Sequence, residues 1–270
     1  MLSALLYVAV AWLSARSRPV THWLLTVLGI LLSPPATLFA AYYLHLFDDQ
    51  AWYYELRALE RSELLAAGLG SLGGACHAWS RRCPRFRAIT GRLSIPLLTI
   101  LIIAIPLLKP ILHPLDVESV GERWRDDVCL QTTPSTCGPC ATATLLRMYG
   151  ISATEQSLAV EARTSGRSTE VWYLLRALRR RGVQANVFIA ESQPALLPTQ
   201  GLAGVRLGDR KGAGHFIAIL NRQGSIYTIA DPISGITVAT LHELQERYFF
   251  TGFFVMTSTG SPAGASLQVR

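Results

Sequence analysis

Four apolar runs crowd the first 113 residues, and the rest of the sequence never repeats them. A helix needs about 20 residues to cross the hydrocarbon of a bilayer. Leu2 to Ala15 is short for that, but it lacks the basic start of a secretory signal and reads as a first membrane helix. Thr21 to Leu46 is long enough, with Ser33-Pro34-Pro35 placed to kink or break it. Leu64 to Ser80 is a third candidate, and its Gly70 and Gly74 form a G-x-x-x-G pair that lets another helix approach closely. Leu93 to about Leu112 is the fourth, bent by Pro96 and Pro106. Residues 1–113 are therefore expected to form a membrane region of three to four transmembrane helices.

The loops between these runs alternate in sign. Arg16 and Arg18 follow the first run; Asp48, Asp49, Glu55, Glu60 and Glu63 outweigh Arg57 and Arg61 after the second. Arg81, Arg82, Arg85, Arg87 and Arg92 fill the third loop. Arginine-rich loops stay cytoplasmic, so the expected location is a bacterial cytoplasmic (inner) membrane, multi-pass, with everything after the fourth run extracytoplasmic. The same clustering accounts for the net charge of +7, so a nucleic-acid partner is not expected. There is no phosphate-binding loop, no zinc-finger spacing and no repeat.

From residue 114 the texture changes to that of a folded domain, expected over 114–258 with a flexible tail at 259–270. Ser152-Ala-Thr-Glu155 fits a capping box opening a helix to about Ala162, and Ser168 or Thr169 opens another that ends at Gly182. Strands are expected at Val183–Ala190, Gly201–Leu207, His215–Asn221, Ser225–Ala230, Ile236–Thr240 and Phe250–Met256, with a short helix at Leu241–Tyr248. Helices first and strands later predict an α+β layout. Met148 and Trp172 are assigned to the core.

Chemistry concentrates around Cys137. Pro134, Ser135 and Thr136 form a turn, and Ala141, Leu145 and Met148 then recur at helical spacing up to Gly150. Cys137 thus falls at a helix N-terminus, where free N–H groups favour thiolate over thiol. Nucleophilic cysteine chemistry also needs a base, a group to orient it and donors for an oxyanion. His215 opens one strand and Asp231 follows the next, and the intervening Arg222-Gln-Gly224 reads as a hairpin that brings both to one end of the sheet. Gln131 offers an amide donor and Cys137 its own N–H. Any of these residues taken alone has an ordinary structural explanation; the weight lies in the set.

Residues 126–257 resemble the bacteriocin-processing, double-glycine-leader cysteine peptidases, which are papain-like. The resemblance rests on Gln131 six residues before Cys137-Gly138, on Arg147-Met-Tyr149-Gly150, on His215-Phe-Ile-Ala-Ile, and on Asp231-Pro232-x-x-Gly235. It implies a papain-like peptidase domain with Gln131 in the oxyanion hole, Cys137 as nucleophile, His215 as general base and Asp231 as orienting carboxylate. It further implies a peptide or protein substrate and no cofactor or metal. These 270 residues carry no nucleotide-binding domain, so export is expected to fall to a separate system. Thr136 stands where many members carry an acidic residue, and Cys140 where alanine is common. The expected function is a membrane-anchored peptidase processing an exported peptide or protein. Two alternatives stand beside it: a thiol–disulfide oxidoreductase using Cys137-Gly-Pro-Cys140, and a non-catalytic module that binds leader peptides. Cys76, His77 and Cys83 lack a fourth metal ligand. In an oxidising compartment a free Cys137 would leave Cys129 and Cys140 to pair; the rival bond, Cys137–Cys140, would switch the enzyme off.

Overall fold

Among the described residues, the apolar runs of the first half do not become membrane helices. The computed structural model describes residues 2–16, 19–32, 38, 45–82 and 110–259, and among these no helix is long and apolar enough to cross a membrane. α1 (Leu2–Arg16) has 15 residues and α2 (Pro19–Leu32) has 14, each spanning about 22 Å against the roughly 30 Å of a bilayer core. The third run splits into a 3₁₀ segment, Ser62–Ala67, and a 15-residue α-helix, Gly68–Arg82. The expected multi-pass membrane region, and with it the inner-membrane location and extracytoplasmic domain, is not upheld by these elements. Ser33-Pro34-Pro35 and the run from Leu93 to Lys109 lie outside the described residues, as does the tail after Thr259.

The chain divides into two units, one of Met1–Asp48 with Leu59–Leu112 and one of Asp49–Ala58 with His113–Arg270. In the first, α1 and α2 pack along the helix Gly68–Arg82. Gly74 permits that packing, because a Cβ there would fall 2.5 Å from the carbonyl oxygen of Tyr7.

The second unit captures a segment expected to be a charged loop. α3 (Ala51–Ala58) is a helix that buries Tyr53, Tyr54 and Arg57. Naming Gly68–Arg82 α4, the helices that follow are α5 (Cys137–Met148), α6 (Glu155–Glu161), α7 (Val171–Arg180) and α8 (Leu241–Arg247). The strands are β1 (Trp124–Arg125), β2 (Val128–Cys129), β3 (Val183–Ile189), β4 (Gly201–Leu207), β5 (Gly214–Gln223), β6 (Ile226–Asp231), β7 (Gly235–Thr240) and β8 (Tyr248–Thr259). Strands β3 to β8 form one antiparallel sheet in the order β3-β8-β4-β5-β6-β7. Its alternating apolar residues, among them Val205, Ile217, Ile229 and Phe254, are buried in a core closed by Leu244 of α8. The cap of α6 is Thr154 with Ser157, two residues later than the expected box, and Met148 stays 37% exposed instead of entering the core.

β3 is an edge strand, and α3 covers part of that edge. The Glu55 carboxylate accepts from the Val187 N–H at 2.7 Å and pairs with Arg179. Arg176 of α7 donates to the carbonyls of Arg57 and Ala58. Glu55→Ala should therefore destabilise this unit by about 1.5–3 kcal/mol, since it removes a charge-assisted bond and leaves a strand N–H unmatched. Urea unfolding of the two proteins checks this; an unchanged midpoint would show that α3 is dispensable.

Candidate active site

α5 starts where the turn Thr133 to Thr136 closes on itself. The Thr136 hydroxyl is buried and donates to the Thr133 carbonyl at 3.0 Å, so the helix opens without a side-chain cap. The first helical residue is Cys137, half-buried, whereas Cys129 and Cys140 are fully buried. Gly138 lets α7 press against this helix start: a Cβ there would lie 2.8 Å from Leu174 Cδ1.

His215 and Asp231 lie on neighbouring strands joined by the tight β5–β6 turn, and both side chains are 3% exposed. The His215 Nε2 is 2.8 Å from Asp231 Oδ1. That leaves Nδ1 without a bond to Asp231, and the Cys137 side chain is near enough to raise the imidazole pKa. Burial alone would lower the His215 pKa. The bond to Asp231 and the nearby Cys137 outweigh it and raise the imidazole to about 9, so the imidazolium is the favoured form at neutral pH.

Asp231 is held more firmly than a turn aspartate requires. Oδ1 also accepts the Ile233 N–H at 2.8 Å, and Oδ2 accepts the hydroxyls of Tyr248 at 2.6 Å and Ser234 at 2.9 Å. Burial would push this carboxyl up. The bonds from His215, Tyr248 and the Ile233 N–H reverse that and hold it well below the usual carboxylate range. Arg247 approaches Oδ2 to 3.7 Å and donates to the Ser234 hydroxyl at 2.5 Å. Tyr248, Ser234 and Arg247 were not anticipated. Ser234, three residues after Asp231, was readable as part of the turn; Tyr248 arrives through the start of β8, and nothing in its local sequence signals that meeting.

Gln131 is tied to the same turn from the other side, since its N–H donates to the Pro232 carbonyl at 2.9 Å. Its side-chain Nε2 donates one hydrogen to the Thr133 carbonyl at 2.9 Å, leaving a second N–H. The amide Oε1 is buried without a hydrogen-bond partner.

The half-buried thiol at the helix start and the imidazole–carboxylate pair facing it fall inside a recognised sequence unit, because the sequence model of the peptidase C39 family matches residues 125–261. The chain belongs to the peptidase C39 family. Two uncharacterized archaeal proteins are similar over the same part. One, from Methanothermobacter marburgensis, is 33% identical over 105 residues, covering 39% of this chain and 70% of that protein. The other, from Methanothermobacter thermautotrophicus, is 30% identical over 122 residues, covering 45% and 82%. Among solved structures, the C39 domain is similar to the peptidase domain of Streptococcus ComA, a bi-functional ABC transporter involved in quorum sensing, at 19% identity and a TM-score of 0.40. That likeness covers 48% of this chain and 95% of the other. A double-glycine-motif protease from an AMS/PCAT transporter, solved with its leader peptide, is similar at 21% identity and a TM-score of 0.40, over 48% and 89%.

Proposed function

We propose that the C39 domain is a cysteine peptidase that hydrolyses a peptide bond through Cys137, His215, Asp231 and Gln131. The observation that carries this reading is one imidazole bonded to the Asp231 carboxylate at 2.8 Å, with the Cys137 side chain at the start of α5 near enough to raise the imidazole pKa. Cys137 attacks the scissile carbonyl carbon as thiolate, and the electron pair moves onto the carbonyl oxygen. The second Gln131 N–H and the Cys137 N–H stabilise that oxygen. The His215 imidazolium gives its proton to the leaving amine, which departs as the carbon–nitrogen bond breaks and a thioester remains. Water then attacks the thioester, His215 takes its proton, and the acid and Cys137 are released. Asp231 keeps the proton-bearing Nε2 oriented and favours the imidazolium.

A peptide with a leader segment, delivered to or from a separate export system, is the substrate class this reading favours, by analogy with the leader-bound protease to which the domain is similar. The oxidoreductase alternative fits less well, because the Cys140 sulfur is buried against Cys129. A module that only binds peptides would have no use for an imidazole held in this way.

The test is hydrolysis of a peptide library by the purified chain, with products read by mass spectrometry. Cleavage should vanish when Cys137 is alkylated, and Gln131→Ala should lower kcat by about 10²–10³ with little change in KM, as loss of one oxyanion donor does. Hydrolysis that survives alkylation of Cys137 would sink the reading. Full activity in Gln131→Ala would remove that residue from the site.

A further inference from the structure

Cys129, Cys140 and Glu155 meet in the interior, on β2, α5 and the first residue of α6, and the proposed mechanism uses none of them. All three are 0% exposed. The two sulfurs are 3.0 Å apart, and a Glu155 carboxylate oxygen lies within 4.8 Å of both. The backbone around them is already fastened: the Cys129 N–H donates to Thr144 Oγ1 at 3.0 Å, and that hydroxyl donates to the Cys140 carbonyl at 3.0 Å. Glu155 Oε1 accepts the Thr132 N–H at 2.9 Å, while its buried Oε2 has no hydrogen-bond partner.

The same three side chains offer ligands for a metal ion, but the sulfurs are too close for one. A tetrahedral zinc with bonds of about 2.3 Å holds two thiolates roughly 3.8 Å apart. We infer that Cys129 and Cys140 are a redox pair, which a small oxidant such as hydrogen peroxide closes to a disulfide, with Glu155 accepting the thiol proton. Peroxide oxidises the Cys129 thiol to a sulfenic acid and leaves as water. The Cys140 sulfur then attacks the Cys129 sulfur, Glu155 takes the Cys140 proton and passes it to the departing hydroxide, and a second water forms. Two thiols and one peroxide thus give one disulfide and two waters. Burial, reinforced by Cys129 and Glu155, pushes the Cys140 thiol well up, so at neutral pH it keeps its proton and needs a base at hand. The bond would join the strand that leads to Gln131, two residues on, to the helix that Cys137 begins, three residues back. Any effect of the bond on turnover rests on the peptidase reading; its formation does not.

The test uses the full chain carrying Cys137→Ala, so that peroxide cannot consume the nucleophile and the outcome does not depend on hydrolysis. After peroxide, the protein is denatured, alkylated and digested with trypsin without reductant. Residues 126–147 fall in one tryptic peptide that contains both cysteines. That peptide should be unalkylated and lighter by two hydrogens, and Tm should rise by about 5–10 °C over the reduced protein, as a short disulfide loop in a domain of this size predicts. Adding Cys129→Ser should abolish the Tm response. Glu155→Gln should slow closure; closure at the parent rate would remove Glu155 from the proposal. Two alkylated cysteines after peroxide would overturn it, as would a bound zinc whose removal by chelator, rather than reduction, lowers Tm.

Discussion

Replacing Cys137 or His215 with alanine is expected to abolish hydrolysis, and replacing both is expected to cost no more than replacing either. The loss should be on the order of 10⁶ in kcat, because nucleophile and base act as one unit and half of that unit does nothing. Without His215 the thiol has no partner to hold its charge and the leaving amine has no proton donor. Without Cys137 the imidazole has no thiol to activate. The contrast with Gln131→Ala is the informative part: an oxyanion donor contributes a graded term, while these two contribute an all-or-none one. Single-turnover mass spectrometry on the two single variants and the double variant measures it. Losses that multiply would mean that the two residues serve separate steps, and the paired mechanism would fail.

How much of this was legible in the sequence differs between the halves for a physical reason. The second half carries period-two patterns broken by glycine-rich turns, and each such strand has one way to bury its apolar face. The strands from Val183 to Ile236 therefore sit within a few residues of where the pattern puts them, and the short β5–β6 turn follows from Gln223-Gly224. The first half was misjudged because hydropathy counts apolar residues without asking whether one helix joins them. The run Leu64 to Ser80 is apolar enough in sum, yet it changes from 3₁₀ to α geometry at Gly68. The charged stretch around Glu55 looked like a solvated loop, but Tyr53, Tyr54 and Arg57 alternate with it at helical spacing and are buried. At the site, pairs close in sequence or joined by one hairpin were readable. Tyr248 was not: its hydroxyl reaches Asp231 only because β8 starts after α8 has crossed back, which no local pattern records.

Asp231→Asn should lower kcat by about 10³–10⁴ and move the alkaline limb of kcat/KM from near pH 9 towards the ordinary histidine value of about 6.5. The carboxylate is a large part of what keeps the imidazole protonated against the cost of burial. An amide can still accept a hydrogen bond from Nε2, but it brings no charge, and burial then dominates. Stability should respond with a definite sign. His215 is raised in the folded protein, so its contribution is complete below about pH 6.5 and is lost as pH climbs towards 9. Asp231 is depressed, so its contribution is present above its unfolded value of about 3.9 and is lost as pH falls through the acid range. The pair therefore stabilises most between about pH 4 and 6.5, and the variant should lose most in that window and least near pH 10. Tyr248, Ser234 and the Ile233 N–H all donate to the Asp231 carboxylate, and an amide nitrogen in place of one oxygen would leave one of those donors opposed by another donor. Combining Tyr248→Phe with Asp231→Asn should therefore recover part of the stability but none of the activity. Tm measured from pH 4 to 10, beside the pH profile of kcat/KM, separates the two effects; an unmoved alkaline limb would mean that the charge on Asp231 does not set the protonation of His215.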